Sequence, residues 1–255
     1  MTHVMDFPHV VLVLAFFVLW LSARVSASVR KRRGGLQVGV REDFDVILAA
    51  TLTLLGLIIG FSFSMAISRY DQRKTYEEEE ANAIGTEYVR ADLLPAAEAA
   101  KLRALLKSYL DQRIMFYKTR DEHHLRQVDT NTVQLQNELW ATAQAPAAAQ
   151  PTPVIALAVS GMNDVLNSQG YTQAAWRNRI PIAAWGLMFM IAIFCNLLIG
   201  YGARRPEGEA MLFLVLPLVV SISFFLIAEI DSPRAGVIRV NPQNLLSLSQ
   251  SLQAR

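Results

Sequence analysis

The sequence predicts an all-α membrane protein with four transmembrane helices and a large helical region outside the membrane, between the second and third of them. Only 18% of the 255 residues are charged and 53% are hydrophobic, whereas an average soluble domain carries about 25% charge. The charges also avoid four windows, residues 7–23, 46–68, 180–203 and 210–228. About 20 apolar residues in a helix cross the ~30 Å hydrocarbon core, so each window is predicted to span the membrane.

The first window is the shortest and admits a second interpretation, a cleaved signal peptide with Val25, Ser26 and Ala27 as its small-residue cleavage site. No lysine or arginine precedes this window, however, and a basic block follows it directly. That order is typical of a membrane span with a stop-transfer flank, so a span is the favoured interpretation.

The windows divide the chain into four predicted parts. Residues 1–68 hold spans one and two, 69–179 the extramembrane region, 180–230 a hairpin of spans three and four, and 231–255 a C-terminal tail. Between residues 69 and 94 Gly85 is the one helix breaker, which predicts that span two continues as a single long helix beyond the bilayer. The Pro/Ala/Gln-rich stretch 141–153 predicts a flexible linker.

Basic residues in the short connections predict the orientation, because such loops stay in the cytoplasm. The third connection carries Arg204 and Arg205 in a tight turn, and the first carries Arg24, Arg30, Lys31, Arg32, Arg33 and Arg41. Both connections are therefore predicted to be cytoplasmic. Both termini and the region 69–179 are then predicted to lie outside.

Span two carries small residues at every fourth position, which places them on one stripe of a helix: Gly56, Gly60, Ser64 and Ser68. Such a stripe is typical of close helix packing, within one chain or between subunits, and is equally compatible with a helix that lines a pore. Phe61 and Phe63 flank the stripe. They are either membrane-facing aromatics or a hydrophobic constriction that gates by dewetting.

Acidic residues follow in the same helix, in the run 76–80 that ends at Glu80. Asp71, Glu78 and Asn82 fall on nearly one stripe, and copies of it in an oligomer would form acidic rings that concentrate cations at an outer mouth. The plainer interpretation is a solvated face with pairs one helical turn apart, such as Arg73 with Glu77.

Charges at the end of span four form another candidate cluster. Spans two and four both end on the outer side in the predicted topology, so Arg69 and Arg73 are expected beside Glu229 and Asp231. The favoured interpretation is an ion-pair cluster that clamps the two helices. A gating or ion-binding role is the alternative.

The remaining composition disfavours several classes of function. The net charge of +2 gives no electrostatic footprint for nucleic-acid binding. The single cysteine, Cys195, lies in an apolar run and is interpreted as a buried, inert thiol. We find no phosphate-binding loop, no zinc-protease motif and no hydrolase elbow. The sequence therefore predicts no cofactor, no metal site and no catalytic residue.

Two segments of the chain carry a recognisable pattern. One comprises Arg69, Tyr70, Asp71, Arg73, Glu80, Ala81, Asn82, Ala83, Ile84, Gly85, Arg90, Asp92, Leu93, Leu94 and Pro95. The other comprises Glu229, Ile230, Asp231, Pro233 and Gly236. Together they resemble the uncharacterised bacterial bestrophin-like domain family. The resemblance implies a four-span protein of the bacterial inner membrane, akin to the bestrophins, which are oligomeric anion channels with helical connections between spans two and three.

The orientation departs from that resemblance. Bestrophins keep the large region in the cytoplasm, whereas the basic loops here predict it outside. From the resemblance itself, we expect an oligomeric ion-channel subunit whose partners are the lipid bilayer, further copies of the chain and inorganic ions. The alternative is a non-conducting scaffold or sensor whose outer helices bind a partner or ligand, and a membrane enzyme is a third, less favoured class.

Overall fold

A computed structural model describes residues 7–33, 38–203 and 211–254, and within these ranges it contains helices and no strand. The helices are α1 (Pro8–Arg33), α2 (Val38–Arg90), α3 (Ala96–Lys118), α4 (Glu122–Ala149), α5 (Pro153–Arg177), α6 (Ile182–Gly202), α7 (Leu212–Asp231) and α8 (Gln243–Gln253). The described part of the chain contains four helical segments that are long and apolar enough to cross a membrane. They include α1, α2, α6 and α7, which confirms the predicted all-α, four-span class.

Helix α2 is one uninterrupted helix of 53 residues. Gly85 does not break it, and a short 3₁₀ turn, Ala91–Leu93, ends it just before Pro95. The prediction of a long helix that continues beyond span two is therefore confirmed.

The predicted linker at 141–153 is wrong over most of its length, because α4 continues through Ala149 with Pro146 inside it. Alanine is the best helix former, and a proline in the last turn removes only one intrahelical hydrogen bond. Ala143 and Pro146 are also buried, so packing stabilises this end of the helix. The break is confined to residues 150–152, where the Thr152 hydroxyl accepts a hydrogen bond from the Ile155 amide and caps α5.

The chain divides into two compact units. Unit 1, Met1–Arg69 with Arg179–Arg239, contains α1, α6, α7 and the first part of α2. Helix α1 buries small and apolar residues one turn apart (Val11, Ala15, Leu19 and Ala23) and leaves large apolar side chains exposed on its other face, as expected for a helix that faces lipid. A Cβ at Gly200 of α6 would overlap the Ala23 carbonyl, so only glycine permits this close α1–α6 contact.

Unit 2, Tyr70–Asn178 with Val240–Arg255, contains the rest of α2 and helices α3, α4, α5 and α8. Its core is aliphatic and aromatic, with Leu102, Leu106 and Tyr109 of α3 fully buried against the other helices. The predicted C-terminal tail is helical in its last part, and α8 buries Leu245 and Leu252 in this core. The predicted turn at Arg204 and Arg205 lies outside the described residues.

Candidate functional site

Helix α2 has two faces of opposite character between Leu55 and Glu87. A repeat of 3.6 residues places the predicted stripe residues within a sector of about 120°, and all of these side chains are exposed: Gly56, Gly60, Ser64, Ser68, Asp71, Glu78 and Asn82. The opposite side of the helix carries the buried positions Leu55, Ser62, Ala66, Arg73, Glu77, Glu80, Ile84 and Glu87. Within each unit, the neighbouring helices pack on the buried side of that unit's part of α2 and leave the predicted stripe exposed.

Among the described residues, no other helix of the same chain packs against the two glycines of the stripe. A Cβ added at Gly56 or Gly60 would meet no atom within 4 Å. Phe61, beside the stripe, is 62% exposed, whereas Phe63 is half-buried. Helix packing therefore remains an interpretation of this stripe only between separate copies of the chain.

The outer carboxylates are not all alike. Asp71 and Glu78 are exposed, but Glu80, one helical turn from Glu77, is fully buried in unit 2 and forms an ion pair with Arg113 of α3. Its carboxylate also accepts hydrogen bonds from the hydroxyls of Tyr117, at 3.4 Å, and Thr172, at 3.2 Å. Glu80 thus belongs to the core of unit 2. The interpretation of the run 76–80 as a solvated face is wrong for this residue.

The side chains around this pair show the electrostatic cost of burial. Burial, and next the negative charge of Glu80, raise the pKa of both Tyr109 and Tyr117, so both phenols stay neutral. The Arg113 guanidinium also lies 4.5 Å from the centre of the Phe116 ring, which adds a cation–π contact. No local spacing marks Arg113 as a partner of Glu80. The one available signal is its position among the apolar residues of α3.

Arg73 and Glu77 of α2 form hydrogen bonds with the end of α5 and the start of α8, respectively. Arg73 is buried and donates hydrogen bonds to the carbonyls of Ala175 and Asn178, both at 3.3 Å, at the C-terminal end of α5. Glu77 accepts from the side-chain amide of Asn244, at 2.7 Å, and from the backbone amide of Leu245, at 3.0 Å. A cation at a helix C-terminus and an anion at a helix N-terminus are both favourable, so these charges stabilise unit 2.

Asn82 lines a groove of about 530 Å³ between α2 and α8. The groove is formed by Ala81, Asn82, Gly85, Thr86, Val89, Arg90, Asn244, Ser247 and Leu248. A Cβ at Gly85 would lie 3.1 Å from a methyl group of Leu248, so glycine allows α8 to approach α2 closely here.

In unit 1, Asp231 joins three segments. Its carboxylate accepts from the Ile180 amide, at 3.2 and 3.1 Å, just before α6. It also lies 3.6 Å from Arg69 of α2 and 3.7 Å from Arg179. The Arg69–Asp231 part of the expected ion-pair cluster is therefore present, and it joins the middle of α2 to the start of α6 and the end of α7.

Glu229 closes the turn that follows α7. Its carboxylate accepts a hydrogen bond of 2.5 Å from the Val237 amide. A Cβ at Gly236 would lie 2.5 Å from the Glu229 carbonyl oxygen and 2.8 Å from its Oε2. The Glu-Ile-Asp-x-Pro-x-x-Gly segment is thus a compact turn in which Glu229 and Gly236 touch, and Asp231 anchors it to the neighbouring helices.

Comparison with known proteins identifies the family. A sequence model described as "Bestrophin-like domain" matches residues 9–245, nearly the whole chain. The chain belongs to the bestrophin-like family. Both segments that carry the resemblance lie inside this match, and the structure shows that they build helix junctions: Arg73 and Glu80 in unit 2, Asp231 and Gly236 in unit 1.

The bestrophin-like fold is shared with solved bacterial structures. A mutant of a bestrophin homologue from Klebsiella pneumoniae is 13% identical, with a TM-score of 0.63 over 95% of this chain and 98% of that one. Another structure of the Klebsiella homologue is 15% identical, with a TM-score of 0.62 and 96% of each chain covered. At these identities the likeness concerns the fold. No curated protein matches the sequence.

Proposed function

We propose that this bestrophin-like protein is a subunit of an oligomeric ion channel whose path is lined by the exposed face of α2. The observation that carries the proposal is the sidedness of α2: within each unit, the described residues pack against the face opposite the stripe. A ring of copies would turn the open faces toward a common axis. Gly56, Gly60 and Ser64 would leave room for ions there, and Phe61 would supply an apolar constriction that controls wetting.

The charges favour cations at the outer end of this path. Asp71 and Glu78 are exposed, and charges act over about 8 Å at physiological salt, so the fields of several copies overlap in a narrow mouth. Arg73, which would oppose them, is buried in unit 2, and Arg69 is held beside Asp231 in unit 1. The proposed role is transport of ions, with no catalytic step.

The proposed location is the bacterial inner membrane, with both termini and the region 69–179 outside. The support is the distribution of basic residues in the short connections. In unit 1 the Arg30 guanidinium donates hydrogen bonds to the carbonyls of Tyr201 and Ala203. The basic end of α1 therefore lies beside the C-terminal end of α6, which agrees with two basic connections on one side of the membrane.

The test is ion conduction by purified protein in planar bilayers at low salt. Wild type should conduct, and an Asp71→Asn, Glu78→Gln double variant should shift the reversal potential toward lower cation preference. An Asp111→Asn, Glu122→Gln double variant is the matched control, because it removes two exposed carboxylates from α3 and α4 instead. Equal shifts in both double variants would refute the role of the α2 carboxylates.

A non-conducting sensor or scaffold is the second candidate, and the groove between α2 and α8 favours it. Its lining is part apolar and part amide and guanidinium, which suits a small polar ligand or a peptide. Protein that is shown to be inserted and oriented, yet is silent under varied voltage, pH and calcium, would favour this role over the channel.

A further inference from the structure

The last turn of α2 carries a buried carboxyl group that no hydrogen bond satisfies. Glu87 lies in unit 2, beyond the membrane-spanning segments, and its side chain has no exposed surface. Neither of its carboxyl oxygens has a hydrogen-bond partner. A buried carboxylate without donors costs several kcal/mol, and such groups reduce that cost by taking up a proton.

Helix α5 closes over this group at a glycine. A Cβ at Gly161 would overlap Glu87 Oε2 and would lie 2.5 Å from Arg90 Nη1. The carboxyl therefore fills the space that any other residue at position 161 would occupy. The Glu87 side chain therefore lies directly against α5 at this contact between α2 and α5.

Two charged groups act on Glu87, one from each helix. Arg90, on α2, lowers the pKa of Glu87, and Asp164, on α5, raises it. The two groups also lie 3.9 Å from each other, at the surface, so Arg90 is shared between the buried and the exposed carboxyl groups. Burial is the largest influence and, with these charges, raises the pKa of Glu87 from 4.5 to about 8.

We propose that Glu87 is a proton-binding site that holds the end of α2 against Gly161 of α5 and loosens this contact when it loses its proton in mildly alkaline solution. The folded state binds this proton more tightly than the unfolded state does. The stabilisation is therefore complete below pH 4.5 and declines as the pH rises toward about 8. Each pH unit in that window changes the opening equilibrium by up to about tenfold.

The experiment is hydrogen exchange of the full chain in detergent from pH 5 to pH 9, corrected for the intrinsic exchange rate and followed on peptides from residues 155–165. Wild-type protection should fall by tenfold or more across this range. Glu87→Gln, which is neutral at every pH, should abolish the dependence. Glu78→Gln, an exposed change of the same kind on the same helix, should retain it.

Two surface variants test the mechanism even if Glu87→Gln does not fold. Asp164→Asn should move the midpoint of the loss to lower pH, because a negative neighbour is removed and Arg90 is released. Arg90→Gln should move it to higher pH. Protection that is independent of pH in wild type, an unchanged profile in folded Glu87→Gln, or shifts in the same direction for both surface variants would overturn the proposal.

Discussion

The buried pair of Glu80 and Arg113 gives the sharpest prediction about stability. We expect Glu80→Gln to destabilise the protein strongly. The amide keeps the shape of the carboxylate but leaves the Arg113 guanidinium charged, fully buried and without its counter-ion. Removing one partner of a buried ion pair costs about 3–5 kcal/mol, and the lower end applies here because the amide oxygen still accepts a hydrogen bond.

A loss of about 3 kcal/mol corresponds to a fall in Tm of roughly 6–12 °C for a chain of this size. Glu78→Gln is the matched control, because it changes the same group two positions away on the exposed side of α2, and exposed substitutions stay within about 0.5 kcal/mol. The assay is thermal unfolding of purified protein in detergent, followed by the loss of its size-exclusion peak. Falls in Tm that are equal for Glu80→Gln and Glu78→Gln would refute the buried pair.

Two further predictions follow from the glycines and from the orientation. Gly200→Leu should lower Tm, because overpacking costs about 1–3 kcal/mol and a Cβ there already overlaps the Ala23 carbonyl. Gly60→Leu should leave the single chain intact and reduce assembly or conduction. Equal effects of the two changes on Tm would contradict this difference. A cysteine at Gln144, exposed on α4, should react with an impermeant maleimide in intact cells after Cys195→Ala, whereas labelling only after lysis would place the region 69–179 in the cytoplasm.

The membrane spans and the long α2 could be predicted because they depend on local composition. The length of an apolar window depends on the thickness of the bilayer, and the continuity of α2 follows from helix propensity, since Gly85 is the one helix breaker between residues 69 and 94. The stripe at Gly56, Gly60 and Ser64 was visible for the same reason, since its spacing is that of a single helix. Which side of α2 faces the rest of the chain was not visible in this spacing.

Which charged residues of α2 are buried and which are exposed depends on contacts with residues far away in the sequence. Glu78 and Glu80 belong to one acidic run. Glu80 is a core residue because it pairs with Arg113, 33 residues further along, and accepts hydrogen bonds from Tyr117 and Thr172. Glu77 is similarly occupied by the start of α8, 168 residues away at Leu245. The linker prediction failed because a Pro/Ala/Gln composition describes a loop in isolation, whereas burial of Ala143 and Pro146 stabilises a helix there.

The central claim is that the open face of α2 lines the ion path, and cysteine accessibility during conduction tests it most directly. In a Cys195→Ala background, Ser64→Cys lies on the exposed face and Ser62→Cys on the buried face of the same helical turn. A charged, water-soluble thiol reagent should change the current through Ser64→Cys channels and leave Ser62→Cys channels unaffected. Modification of the current at Ser62→Cys with no effect at Ser64→Cys would contradict the claim.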